Sequence, residues 1–157
     1  MLSPAEFYQS LPKKRMAAAA LIQNSRGAIL IVKPTYRPEW LLPGGAIEAN
    51  ESPRQACERE VQEEIGISLA IGNLLCVDYV PQEHVKTESL QFIFDGGILN
   101  QEQIQAIRLP AEELSEYRFS PLEEATSLLA PSVARRLIPG LQALRANGAV
   151  YLERGQA

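Results

Sequence analysis

The sequence predicts a layered domain of mixed α/β or α+β class. Three observations point there. Short apolar runs broken by turn signals fill the first third of the chain. A helix punctuated at both ends sits in the middle, and helical stretches close the sequence. At 157 residues, 46% of them hydrophobic, the chain has the size of one ordinary domain with a sizeable core. No repeat of fixed period and no low-complexity segment divides it. Residues 1–15, with two prolines and the solvated cluster Lys13-Lys14-Arg15, read as an irregular arm, and residues 16–157 as a single domain.

Taken in order, Met16 to Gln23 and Ala28 to Val32 are short apolar runs on either side of the turn signal Asn24-Ser25-Arg26-Gly27. They predict a β-hairpin. Ala17 to Ala20 would suit a helix by propensity, but the turn and the β-rich run behind it favour a strand. Pro34 to Pro38 is a loop, and Trp40-Leu41-Leu42 is a stub stopped by Pro43-Gly44-Gly45. Ser52 is a good N-cap, Pro53 fits the first helical position, Gln55 completes a capping box and Gly66 is placed to end the helix. Pro53 to Ile65 is therefore a helix. Leu69 to Val80 and Ser89 to Leu99 read as strands around a polar loop at 81–88, with weaker strands at Ala106 to Leu109 and Tyr117 to Ser120. Pro121 to Leu129 and Pro131 to Asn147 read as helices, the second open to a kink or break at Pro139-Gly140.

The charge sum, 15 basic against 19 acidic residues, offers no global field to hold a nucleic-acid backbone, so duplex nucleic acid is an unfavoured partner. Cys57 and Cys76 form no CxxC pair, which argues against a cysteine zinc site or a disulfide scaffold. There is no run of 18 apolar residues and no signal-like start, so no membrane is expected and a cytoplasmic setting is the default. The acidity is local. Residues 45–67 hold six acids and two bases, a sum of −4, while the remainder is balanced.

The central helix carries that excess. Cys57, Val61 and Ile65 recur every four residues as an apolar stripe. Glu60 and Glu64 are also four apart, with Glu63 beside them. Like charges at this spacing repel. Solvent can offset the repulsion, and a divalent cation with oxygen ligands offsets it better. The stretch from Gly45 to Ile67 reads G-x5-E-x7-R-E-U-x-E-E-x-G-U, where U is a bulky aliphatic residue. It resembles the Nudix hydrolase signature at all nine specified positions, and the preceding Trp-Leu-Leu-Pro-Gly-Gly fits the same family.

The resemblance implies a Nudix-type α/β/α sandwich around a mixed β-sheet. It also implies hydrolysis of the pyrophosphate bond of a nucleoside diphosphate linked to a group X, with Mg²⁺ or Mn²⁺ as cofactor. By position, Glu60 and Glu64 resemble the principal metal ligands and Glu63 a further ligand or general base; Gly44 would add its backbone carbonyl. Glu51 and Arg59 resemble a structural, orienting pair. The chemistry agrees: a cation must neutralise phosphate oxygens and activate water, and a nearby carboxylate can take its proton. In some members the base stands on a later loop. Here Glu102 is the first candidate, with Glu83 and Glu88 behind it, although Glu102 also reads as a solvated residue. His84 reads as a surface residue and Trp40 as core; Tyr36, Arg37 and Phe94 carry no strong warrant as substrate contacts.

The group X stays open. Pro81 lies 14 residues beyond Ile67, close to a proline of members related to ADP-ribose hydrolysis, and the size also fits a MutT-like nucleoside triphosphate pyrophosphohydrolase. The expected partner is a small nucleotide, and a homodimer is open because family members are often dimers. The competing function is a catalytically inactive Nudix domain that binds or senses nucleotide; such domains typically lose motif glutamates, and all three are present here.

Overall fold

The computed structural model describes residues 1–157. It opens with a helix where an irregular arm was expected, α1 (Pro4–Ser10). Ser3 and Glu6 close a capping box over its first turn and Pro4 starts it, signals present in the sequence. No residue of α1 is buried.

Strand β1 (Arg15–Gln23) turns through Asn24–Gly27 into β2 (Ile29–Pro34), so the alanine run is strand, as its surroundings suggested. The short β3 (Gly44–Ala46) pairs antiparallel with the first half of β1, from Ala17 to Ala19, while β2 meets β1 only at its far end, at Gln23. Helix α2 (Pro53–Ile65) has the expected bounds. The Ser52 hydroxyl accepts from the Gln55 N–H, the Gln55 side chain accepts from the Ser52 N–H, and Gly66 ends the helix in the left-handed region at φ 72°.

Strand β4 (Leu74–Val80) is shorter than the expected run from Leu69. Arg54 donates to the carbonyls of Ile71 and Gly72, while the Gly72 N–H and the Asn73 carbonyl still bond to the backbone of Asp95, so pairing before Leu74 is irregular rather than regular strand. Strand β5 (Ser89–Ile98) follows, then α3 (Gln101–Gln105), capped by Asn100 and Gln103. The strand expected at Ala106 to Leu109 is absent. That segment instead closes α2: Ile107 is buried and the Arg108 N–H donates to the Ile65 carbonyl. The chain ends with β6 (Leu114–Ser120), α4 (Leu122–Leu128), α5 (Pro131–Arg145) and β7 (Val150–Glu153), the last without an expectation in the sequence. Pro139 does not break α5.

The strands form one seven-stranded mixed sheet in the order β6-β2-β1-β5-β4-β7, with β3 beside β1. Strand β1 runs parallel to β5, and β4 parallel to β7; the other pairs are antiparallel. One face packs under α2 through Ala56, Cys57, Val61 and Ile65 against Ala18, Ala20 and Ile22. The other packs under α4 and α5 through Ala125, Leu137 and Leu141 against Leu21, Ile31 and Ile93. This is the α/β/α sandwich the sequence implied. Both cysteines are buried and unbridged, and no helix is long and apolar enough to cross a membrane.

Because β2 leaves β1 over its first half, β3 has a free edge there, and α2 lies against that edge. The Ser52 cap sets where α2 starts. Ser52→Ala should cost about 1 kcal/mol, read as a lowered urea midpoint at unchanged slope.

Candidate active site

Two glycines bring the backbone of β3 onto α2. The Ala20 N–H donates to Pro43 and the Ile47 N–H to Met16. Hydrogen-bonded pairs alternate along an antiparallel ladder, so Gly44, opposite Ala19, falls between them and turns its N–H and C=O away from β1. The N–H reaches a Glu64 carboxylate oxygen at 3.0 Å. One residue on, Gly45 lies under Glu60: a Cβ there would sit 2.5 Å from the Glu60 carboxyl. A Cβ on Gly44 would strike the Ala18 carbonyl and Ala19. Gly44 is therefore required by close approach to backbone, whereas a side chain at Gly45 would displace the Glu60 carboxyl. The two glutamates one turn apart on α2 stand on consecutive residues of β3.

Arg59 organises the remaining acids. Its Nε and Nη2 donate to the two oxygens of Glu51 at 2.7 and 2.9 Å, a bidentate fork. Nη1 donates to Glu60 at 2.9 Å and to Glu63 at 3.3 Å, and Nη2 also donates to the Ala46 carbonyl at 3.1 Å. Glu51 in turn accepts from the Glu48 N–H at 3.0 Å, which pins the loop before α2. The orienting pair expected from the sequence is thus in contact. Charge follows geometry. The Arg59 hydrogen bonds hold the Glu51 carboxyl down to about 2, and the carboxylates hold Arg59 above its usual range. Burial raises Glu60, against the opposing pull of Arg59. Burial also pushes Glu64 up to about 8, with the Gly44 N–H opposing and the charges of Glu60, Glu113 and Glu63 adding.

Four acids, Glu48, Glu51, Glu60 and Glu63, share the one guanidinium, and Glu64 stands beside them without a cation. The donors are hard oxygens, the set Mg²⁺ and Mn²⁺ take. Glu60, Glu64 and the Gly44 carbonyl fit such an ion. As they stand, no three acidic side chains meet at one point, because Arg59 draws Glu60 and Glu63 to itself. An ion there would compete with Arg59 for Glu60.

Glu63 is exposed and reaches the cluster only through Arg59. Glu102 lies exposed in the first turn of α3 and has no side-chain contact with the motif. The charge that does act on Glu60 and Glu64 from a later loop is Glu113, in the turn before β6. Nothing in the local pattern marks Glu113. It is placed by the Thr35 N–H, which donates to its carbonyl and ties that turn to the end of β2. Glu83 and Lys86 join backbone to backbone in a tight turn with His84 at its tip, while Glu88 pairs with Lys14 at 2.7 Å and accepts from Tyr79. Trp40 and Phe94 are core residues, each under an arginine: Arg118 at 4.9 Å and Arg54 at 5.1 Å.

A mixed-sheet α/β/α sandwich with this glutamate helix against a glycine edge defines a class, and comparison with known proteins agrees. The family model described as NUDIX domain matches residues 13–141, and the chain belongs to the Nudix family. Diphosphoinositol polyphosphate phosphohydrolase 2 of Rattus norvegicus is 38% identical over 64 residues, spanning 40% of this chain and 36% of that relative. The chain thus matches little more than a third of the length of such relatives. Among solved structures, the MutT protein from Methanosarcina mazei Go1 is 27% identical with TM-score 0.68, covering 88% of this chain and 99% of that one. The NUDIX domain of Shewanella oneidensis NrtR complexed with ADP ribose has TM-score 0.71 at 18% identity, covering 91% and 99%, and speaks to the fold alone.

The Glu64 shift has a measurable consequence in metal-free protein. The unfolded carboxyl loses its proton near 4.5 and the folded one near 8. Between those values the folded chain holds the extra proton, so stability falls as pH rises. Glu51 acts oppositely and at lower pH: its stabilisation is present above 4.5 and is lost toward 2. In EDTA, the Tm should drop between about pH 5 and about pH 8, and Glu64→Gln should remove most of that drop. A wild-type profile flat across the window contradicts the buried-acid assignment.

Proposed function

We propose that the protein is a divalent-metal-dependent Nudix pyrophosphohydrolase that cleaves the diphosphate bond of a nucleoside diphosphate linked to X. The observation that carries this reading is the placement of Glu60 and Glu64 on the Gly44–Gly45 edge, with the Gly44 carbonyl turned away from the sheet. Glu60, Glu64 and that carbonyl would hold a Mg²⁺ or Mn²⁺ ion. When bound, the ion neutralises the phosphate oxygens and makes water a stronger acid.

The chain's own residues do the rest. The Arg59–Glu51 fork fixes the loop against the helix, so β3 and α2 keep the spacing the site needs. Glycine at 44 lets β3 pack closely on β1, and glycine at 45 leaves the Glu60 carboxyl its place above the β3 edge. A carboxylate takes the proton of the attacking water. Glu63, in the motif, is the first assignment. Glu113 replaces Glu102 as the late-loop alternative, because its charge acts on Glu60 and Glu64. Diphosphate chemistry is in keeping with the relative that is 38% identical over 64 residues, a diphosphoinositol polyphosphate phosphohydrolase.

Hydrolysis of ADP-ribose, UDP-glucose and the nucleoside triphosphates with Mg²⁺ or Mn²⁺ tests the reading. At least one should release a nucleoside monophosphate or pyrophosphate. Glu64→Gln should lower kcat by roughly 10²-fold or more with the fold intact. Turnover of a good substrate by Glu64→Gln at the wild-type rate would remove Glu64 from the site. Binding without turnover across the panel would support the inactive, nucleotide-sensing alternative. Glu63→Gln and Glu113→Gln separate the two bases. The true base should show the larger loss of kcat and lose the acidic limb of the pH–rate profile.

A further inference from the structure

Across the sheet from the glutamates lies a second feature that the diphosphate chemistry does not use. A cleft of about 370 Å³ opens between the start of α5, the 81–88 loop and the sheet at Gln91. One row of the sheet links it to the site: Ala46 of β3 pairs with Ala17, Ala17 with Gln91, and Gln91 with Asp78. Adjacent strands are about 4.8 Å apart, so the cleft begins roughly 10 Å from the β3 edge, within reach of one bound substrate.

Its lining is basic. Arg15, Arg37, Lys86, Arg135 and Arg136 face it against a single acid, Glu83. Arg37 pairs with Glu39 and Arg136 with Asp78, whereas Arg15, Lys86 and Arg135 have no carboxylate partner. The lining contains no aromatic side chain, so no ring is there for a nucleobase to stack on.

Arg136 makes the cleft more than a charged surface. Its side chain is only 7% exposed, and Asp78, itself held by the Gly155 N–H at 2.9 Å, takes its Nε at 2.6 Å. No protein oxygen takes its two terminal nitrogens, so a buried, fixed guanidinium offers free donors to the cleft. A guanidinium held this way suits the oxygens of a phosphate. The backbone bridge between Glu83 and Lys86 holds the loop that brings Lys86 to the opposite wall.

We infer that this cleft binds a phosphate group of the substrate other than the scissile diphosphate, so that the preferred substrates carry at least one further phosphate on the part held there. The inference rests on the reading of the glutamate site as a diphosphate hydrolase. Matched pairs that differ by one phosphate test it: NADP⁺ against NAD⁺, and coenzyme A against 3′-dephospho-coenzyme A. The phosphorylated member of at least one pair should be favoured roughly tenfold or more in kcat/KM. The ratio should fall toward one in Lys86→Gln/Arg135→Gln, whose exposed side chains have no ion-pair partner to lose, and in Arg136→Lys, which keeps a cation for Asp78. Ratios near one in both wild-type pairs, or a preference that survives these substitutions, overturn it.

A metal-free measurement separates this inference from the hydrolase reading. Inorganic tripolyphosphate titrated calorimetrically in EDTA should bind the wild type, and Lys86→Gln/Arg135→Gln should weaken it roughly tenfold or more. No binding, or equal binding by the variant, overturns the cleft assignment even if diphosphates are hydrolysed. Failure to hydrolyse any diphosphate, with tripolyphosphate bound as expected, overturns the hydrolase reading alone.

Discussion

One guanidinium holds the site together. Arg59 sits on α2 and forks onto Glu51 of the preceding loop, then spends its remaining donors on Glu60, Glu63 and the Ala46 carbonyl. Loop, helix and β3 edge are thereby tied at one point. Beside that tie, Gly44 and Gly45 meet α2 at the Glu64 and Glu60 carboxyls. Removing one partner of such a cluster leaves half-buried charge uncompensated, which costs more than the bond itself contributes.

The same tie leaves a charge problem unsolved. Arg59 offsets one of the clustered acids, and Glu64 is kept neutral at pH 7 by burial. A group held neutral only by its surroundings is poised to ionise when a cation arrives. The basic cleft on the α5 side has the opposite sign. Acid at one end and base at the other, a few strands apart on one sheet, give the molecule a polarity that its net charge of −4 conceals. A ligand bearing phosphate along its length answers both ends, through a metal ion at one and arginine at the other.

Much of this was legible in the sequence, for local reasons. The bounds of α2 follow from Ser52, Pro53, Gln55 and Gly66, each acting within a few residues, and the glutamate spacing fixes their common face. What failed was set by distant partners. Ile71 and Gly72 fall outside β4 with their carbonyls taken by Arg54, Ala106 to Leu109 are taken up in closing α2, and Glu113 is brought to the site where β2 and β6 pair. Asp78 and Arg136, 58 residues apart in sequence, meet only when β4 packs under α5. By contrast, α1 and α3 both carry capping-box residues that a stricter local reading would have found.

The most direct test of the central claim is a calorimetric titration of the metal-free protein with Mn²⁺ at about pH 7, repeated in buffers of different ionisation enthalpy. Because Glu64 is protonated there and a ligating carboxylate must be ionised, binding should release about one proton. That release should disappear in Glu64→Gln, with affinity weakened in Glu60→Gln and Glu64→Gln alike. Equal Mn²⁺ affinity in the wild type and the Glu60→Gln/Glu64→Gln double variant would contradict the assignment of a metal to this edge.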